Sequence, residues 1–181
     1  MAAFIAKPFT CADPTKEISL GVALSWIADN LRSDIIQPVM CKHGLEHFDP
    51  NQWYPTQTLL DIVRDLYNYP GTIEALVAIG KKSAEDYPFG PEVQSLEDAV
   101  LAFNEAHHAI HHGISPEQGF LVKRTSPTSL IVVNNNPWPG ELIFGILWTF
   151  GRRFSRNQNF EVIPLDNDDF GRAVFEVVWG D

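Results

Sequence analysis

The segment from Glu141 to Phe154 constrains the fold more than any other part of this chain. Leu142, Ile143, Phe144, Ile146, Leu147, Trp148 and Phe150 fall on every side of a helix rather than along one stripe. A helix that is apolar all round must be covered on all sides. Its most apolar window, Leu142 to Gly151, is about half the ~20 residues of a membrane span, so the cover has to be protein or ligand. A sheet can supply one side and other helices a second. The remaining side calls for more core, a partner subunit or a bound molecule, and the sequence leaves all three open.

The residues before this helix read as helices. Asp13-Pro14 places a capping side chain ahead of a proline at the first helical position, predicting a helix to about Arg32 with Ile18, Val22, Trp26 and Ile27 on its apolar face. Gln37-Pro38 through Pro55 predicts loop with at most a short helix. Pro55 then opens a helix bearing Leu59, Leu60, Val63, Leu66 and Tyr67, and Thr72 starts another with Leu76, Val77, Gly80 and Ala84 in its stripe. Tyr87 to Pro91 is a loop. Ser95-Leu96-Glu97-Asp98 resembles a capping box, and its helix is expected to reach His112 and stop at Gly113.

Past Gly113 the period shortens. Gly119 to Thr125 and Ser129 to Asn134 form a hairpin through Ser126-Pro127-Thr128. Phe160 to Leu165 and Arg172 to Trp179 form a second around the turn at Asp166 to Gly171. The expected architecture is α+β in a single domain over residues 1–181. N-terminal helices precede a β-hairpin, a central apolar helix and a second β-hairpin, and the hairpins make a four-stranded antiparallel sheet.

Charge and composition narrow the partners. The chain has 13 Lys plus Arg against 23 Asp plus Glu, a net charge of -10, which opposes binding to nucleic-acid phosphates and to anionic membrane surfaces. Its 45% hydrophobic content excludes a disordered chain. Five Trp and twelve Phe point to a core or pocket richer in aromatic surface than stability alone requires. Cys11 and Cys41 lack CxxC spacing and are expected to be reduced thiols. The first residues lack a sustained apolar run, so neither a secretory signal nor an anchor is expected, and a cytoplasmic location follows.

Four of the six histidines lie between Ala106 and Gly113. His107/His111 and His108/His112 are i,i+4 pairs, the spacing that stacks two imidazoles as metal ligands, and Glu105 with His108 makes an E-x-x-H step. At 100° per residue, His107 and His111 lie beside Leu96, Val100, Phe103 and Ile110. His108, His112 and Glu105 face the opposite way, so four ligands cannot converge. Histidines in a last turn also suit the negative end of the helix dipole without any ligand. His43 and His47 flank Gly44 in a region read as loop. No G-x-S-x-G elbow and no phosphate-cradling glycine loop is present, and no enzymatic activity is expected. Arg152, Arg153 and Arg156 form a basic cluster at a helix C-terminus, where they serve the helix dipole, a subunit contact or an acidic head group. The aspartates at 166–169 lack EF-hand spacing and read as turn residues.

Asn136-Pro137-Trp138-Pro139-Gly140, then Gly145 and Arg152-Arg153-Phe154, carry a family resemblance. They resemble the Asn-Pro-Tyr-Pro-Cys segment and its Gly and Arg-Phe landmarks in sensor-like proteins. Those proteins are related to the vinyl-reductase (hydrocarbon-binding) domain and to the haem-nitric-oxide-binding-associated group. Phe103 to Gly113, Phe48-Asp49-Pro50 with Trp53-Tyr54-Pro55, Gly71, Ile79-Gly80-Lys81 and the strand from Gly171 to Trp179 fit the same pattern. The resemblance implies the fold shared with golgi-transport ligand-binding subunits, which dimerise through helices and hold apolar ligands. Gly140 stands where relatives often have Cys, the Cys pair of the last hairpin is missing, and so is the Y-x-S-x-R motif of haem nitric-oxide sensors.

The resulting expectation is a non-enzymatic, dimeric sensor domain for a small apolar or tetrapyrrole-like molecule, with Phe103, His107, His111, Trp138, Phe144 and Trp148 near the ligand. Two alternatives stand beside it: a haem or metal redox protein using His107 or His111, and a structural dimerisation adaptor.

Overall fold

The computed structural model describes residues 4–85, 87, 89–155 and 159–180. It is α+β, with helices first and a four-stranded sheet formed by the C-terminal half.

The opening segment departs from the expected helix. Glu17 Oε1 accepts hydrogen bonds from the backbone N–H groups of Ala12 (2.8 Å) and Asp13 (2.9 Å), folding residues 13–17 into a turn. Strand β1 (Ile18–Leu20) follows, and helix α1 (Val22–Asn30) begins only after it. β1 pairs antiparallel with β2 (Trp53–Pro55) on one side and with β3 (His111–His112) on the other. Pairing with two distant segments overrides the local helical signal.

α2 (Ser33–Lys42) runs through Pro38 where a loop was expected, forgoing the backbone bond that Pro38 cannot donate. α3 (Thr56–Leu66) starts directly after Pro55, and α4 (Thr72–Glu85) starts at Thr72. α5 (Leu96–Ile110) has the capping box: Ser95 Oγ accepts from Asp98 N, and the Asp98 carboxylate accepts from Ser95 N. It ends at Ile110, two residues short of the expected stop, because His111 is extended (φ -132°, ψ 119°) and joins β3.

The large sheet has the order β4-β5-β7-β6, all antiparallel: β4 (Gly119–Ser126), β5 (Ser129–Asn135), β6 (Asn159–Leu165) and β7 (Val174–Gly180). This matches the expected pair of hairpins.

α6 (Gly140–Phe154) is the all-round apolar helix, and the chain itself covers it. Phe150 is fully buried, its ring edge-on to Tyr87, Phe89 and Phe103, and Gly151 meets Phe160 of the sheet. On the other side α6 meets α4 at closest approach: a Cβ on Gly80 would lie 2.1 Å from Leu142 O, and one on Gly145 would lie 2.2 Å from Val77 O. Only glycine at both positions lets the two backbones come so near. Thr149 Oγ1 adds a hydrogen bond to Lys81 O at 3.0 Å. The chain buries Ile143, Ile146, Leu147 and Phe150 of α6 and leaves Leu142, Phe144 and Trp148 half-buried.

Two core clusters result. One gathers the helical half around Leu24, Ile27, Leu59, Leu60 and Leu76, with Trp138 at its edge. The other gathers α5, α6 and the sheet around Val100, Leu130, Leu147, Phe150 and Val177. Leu142 packs against both. The seam between the clusters is where the cavity lies.

Candidate ligand cavity

A cavity of about 330 Å³ lies between α1, α5 and α6. α5 contributes Phe103, His107 and Ile110, β3 contributes His111, and α6 contributes Leu142, Ile143 and Ile146. Trp138 and Asn136 close one end, and Trp26 of α1 is 40% exposed. No Lys, Arg, Asp or Glu is among the lining residues.

Two stacked imidazoles stand in the wall, which also carries the polar side chains of Ser83, Tyr87 and Asn136. The rings of His107 and His111 are 4.1 Å apart and inclined by 26°. His111 is completely used. Its Nδ1 lies 2.8 Å from His107 O, which can only accept, so Nδ1 carries the proton. Its Nε2 lone pair then accepts the Trp138 indole N–H at 3.1 Å. Burial is the main force pushing its pKa down to about 4, with His108 and His112 adding to the effect and the bond to His107 O opposing it.

His107 differs. It is buried, and burial followed by the charges of His111 and His108 holds its pKa well below the ordinary histidine value. Its Nε2 has no hydrogen-bond partner. A buried, neutral imidazole with an unused ring nitrogen suits a metal ion or a hydrogen-bonding ligand. Of the two histidines singled out in the sequence, only His107 has a nitrogen to offer.

The Asn134–Asn136 run, read in the sequence as the end of a strand and the first residue of the Asn-Pro-Trp-Pro-Gly motif, builds the end wall. Asn134 Nδ2 donates to Trp138 O (2.9 Å), and Asn136 Oδ1 accepts from Trp138 N (3.0 Å), so both side chains clamp the Trp138 backbone. These bonds leave Asn134 Oδ1 and Asn136 Nδ2 buried and unpartnered. Asn135 holds the N-terminal segment and the turn before β7, accepting from Ala6 N and Arg172 Nη1, each at 3.0 Å.

The other candidates lie elsewhere. Phe103, His107, His111 and Trp138 share the cavity, but Phe144 and Trp148 do not line it. At 100° per residue they fall on a different side of α6 from Leu142 and Ile146. Phe144 lines a second cavity of about 480 Å³ beyond Asn136 and Trp138, together with Phe9, Tyr67 and Phe175. Trp148 packs on Phe160 with Lys81 Nζ 4.0 Å from its ring centre. α1 and Phe120 join the cavity without a sequence signal, brought there by non-local packing.

His108 is half-buried, Glu105 and His112 are exposed, and the His112 ring stacks on Trp53 at 4.1 Å. His43 Nε2 pairs with Asp65 at 2.7 Å. Arg153 donates to Ala84 O and Tyr87 O, which ties α6 to the loop after α4, and Arg156 lies outside the described residues. Asp168 caps its own turn, accepting from Phe170 N and Arg172 N and pairing with Arg172. Among the described residues no group of three or more His, Cys, Asp or Glu side chains could hold a metal ion, and no helix is long and apolar enough to cross a membrane.

A cavity beneath a histidine-bearing helix, set between an N-terminal helical layer and a four-stranded antiparallel sheet, is a recognisable plan. The fold is that of the H-NOX domains. A structure solved to probe haem distortion in the H-NOX family superposes with a TM-score of 0.63 at 14% identity, covering 90% of this chain and 95% of that one. A variant of the T. tengcongensis H-NOX gives 0.59 at 15% identity, covering 88% and 96%. An oxygen-binding H-NOX domain related to soluble guanylate cyclases, in its oxygen complex, gives 0.57 at 13%, covering 89% and 93%. No protein-family model matches the chain, and no curated protein matches it. The likeness falls on the haem-nitric-oxide-binding side of the sequence resemblance. The hydrocarbon-binding and golgi-transport side rests on the sequence motifs alone.

Proposed function

We propose that this chain is a small-molecule sensor domain whose cavity binds haem, with His107 as the residue that would hold its iron. The single observation that carries this reading is the buried, neutral and unpartnered Nε2 of His107 in an apolar cavity. The His107 imidazole is a donor suited to haem iron, and apart from Ser83, Tyr87, His111 and Asn136 the wall is aromatic and aliphatic. The H-NOX structures that share the fold include a haem-distortion study and an oxygen complex, which agrees with a haem-based gas sensor.

Bound haem supplies an iron centre able to take a diatomic gas. The protein's part is positional. His111, locked to His107 O and to the Trp138 indole, stacks on His107 and limits rotation of its ring. Phe103, Phe120, Ile143 and Ile146 keep water from the face they line. A macrocycle needs more room than the present 330 Å³, so haem binding requires the elements around the cavity to move apart.

The test is titration of the metal-free protein with ferric haem, followed by absorbance. A histidine-type Soret spectrum is expected from the parent and from His111→Phe, with at least a tenfold loss of affinity in His107→Ala. The same spectrum and affinity in His107→Ala would overturn the reading.

The cavity volume favours a second reading, because 330 Å³ sits at the low end for ligand pockets. That reading is an iron-free sensor of a small apolar molecule held against His107. Solvent extraction of purified protein followed by mass spectrometry decides it. The homodimer, the single-domain organisation over residues 1–181 and the cytoplasmic location belong to the same proposal. Sedimentation as a monomer at micromolar concentration counts against the dimer and against an adaptor role.

A further inference from the structure

We infer that the cavity selects a ligand with an uncharged hydrogen-bond acceptor on its periphery, received by Asn136 Nδ2, rather than one carrying free carboxylates. The inference rests on the haem reading for its probes, although its argument concerns the end wall and not the iron.

Two independent observations carry it. The first is charge: none of the lining residues is Lys or Arg, and the whole chain carries a net charge of -10. A carboxylate drawn into such a site loses its hydration without gaining a cation, and an unpaired buried charge is strongly disfavoured. Arg172, the cation across the Asn136 wall in the second cavity, is already held by Asp168 (2.7 Å) and by Asn135 Oδ1 (3.0 Å).

The second is the orphaned donor. Asn136 is 4% exposed, and its Oδ1 is fixed by Trp138 N, so the free atom is unambiguously the amide nitrogen. A buried N–H left without an acceptor is costly, and a ligand that supplies one removes the cost. A carbonyl, ester or protonated acid does so without bringing charge. Trp138 Nε1 is spent on His111 and cannot compete. Asn136 therefore acts as the specificity-determining group at this end of the cavity.

Three iron porphyrins separate the possibilities: ferric haem with two carboxylates, its dimethyl ester with two neutral carbonyls, and iron octaethylporphyrin with no acceptor. Affinities are read by absorbance titration of the full chain in a fixed low concentration of cosolvent. The ester is expected to bind at least as tightly as haem and several-fold more tightly than the octaethyl compound. Asn136→Asp keeps the oxygen that Trp138 N requires and replaces the donor with a second oxygen. It is expected to weaken the ester at least tenfold while leaving the octaethyl compound within about twofold. Haem binding tenfold more tightly than its ester overturns the inference, as does an equal loss of all three probes in a folded Asn136→Asp protein. Should that variant fail to fold by circular dichroism, the ranking on the parent protein still decides. Failure of every porphyrin to bind removes the haem reading and this inference together. Binding of all three with the ranking reversed removes only the inference.

Discussion

The supports behind the cavity (the α4–α6 crossing and the Trp138 end wall, together its floor) and its α5 wall are finished to different degrees. On the floor, α4 and α6 touch backbone to backbone at Gly80 and Gly145. Trp138 has its N–H, its carbonyl and its indole all bonded, to Asn136, Asn134 and His111. On the α5 wall, His107 keeps a buried nitrogen with no partner, and Trp26 across the cavity is partly exposed. The difference separates the bonds that support the cavity from the buried atoms left to receive a ligand, His107 Nε2 and Asn136 Nδ2. A ligand that bonds to His107 gains an interaction without breaking one, whereas any ligand that disturbed the floor would have to break several.

The sharpest way to break this contrast is to spoil the floor. In Gly145→Ala the new methyl would stand 2.2 Å from Val77 O and 2.8 Å from Lys81 N. Both are backbone atoms, so no side chain can rotate away and the helices must part. Overpacking of this kind costs about 3 kcal/mol, the upper part of the usual range. A chain of this size should then show a Tm lower by roughly 6–12 °C. Urea denaturation checks it. A midpoint equal to that of the parent would mean that the α4–α6 crossing is not the rigid element described here.

The same contrast explains what was legible in the sequence. The large sheet is made of two local hairpins, so alternation and turn residues sufficed to place β4, β5, β6 and β7. β1, β2 and β3 are two or three residues each, drawn from around positions 18, 54 and 111, and no local pattern encodes a pairing across such distances. For that reason the Asp13-Pro14 signal misled, and α5 stops before His111. His107 and His111 could be placed on the apolar side because α5 has a clear phase. α6 is apolar on every side and offers no phase, which is why Phe144 and Trp148 were grouped with a cavity they do not line. Asn136 was missed because its chemistry arises only from the bonds Trp138 makes with it.

A second test titrates the imidazoles. Folding lowers the pKa of His111 to about 4 from an ordinary 6.5, so between these values the unfolded chain takes up a proton that the folded one refuses. Stability therefore rises with pH across that window and is lost as the pH falls. At pH 5 the His111 contribution alone should leave the protein about 2 kcal/mol less stable than at pH 7. His107, depressed for the same reason, acts in the same direction. Below pH 4 both states carry the His111 proton and its effect levels off. Denaturation at pH 7, 6 and 5 measures the slope. His111→Phe should be less stable at pH 7, because the Trp138 indole N–H loses its acceptor, but its slope should be shallower. Parallel slopes in the two proteins would show that His111 is not titrating as a buried neutral base.

The smallest effect sharpens the comparison at the far end of the wall. Ser95 and Asp98 exchange hydrogen bonds at the start of α5, about three turns before His107. Ser95→Ala leaves one helix-start N–H without its side-chain partner and should lower stability by about 1 kcal/mol. If the open character of the wall belongs to the His107 end alone, this loss should appear in denaturation while haem affinity stays within about twofold. A matching loss of affinity would mean that the whole of α5, and not only its last turn, sets the position of His107. In that case the receptive wall would rest on its cap much as the floor rests on its glycines.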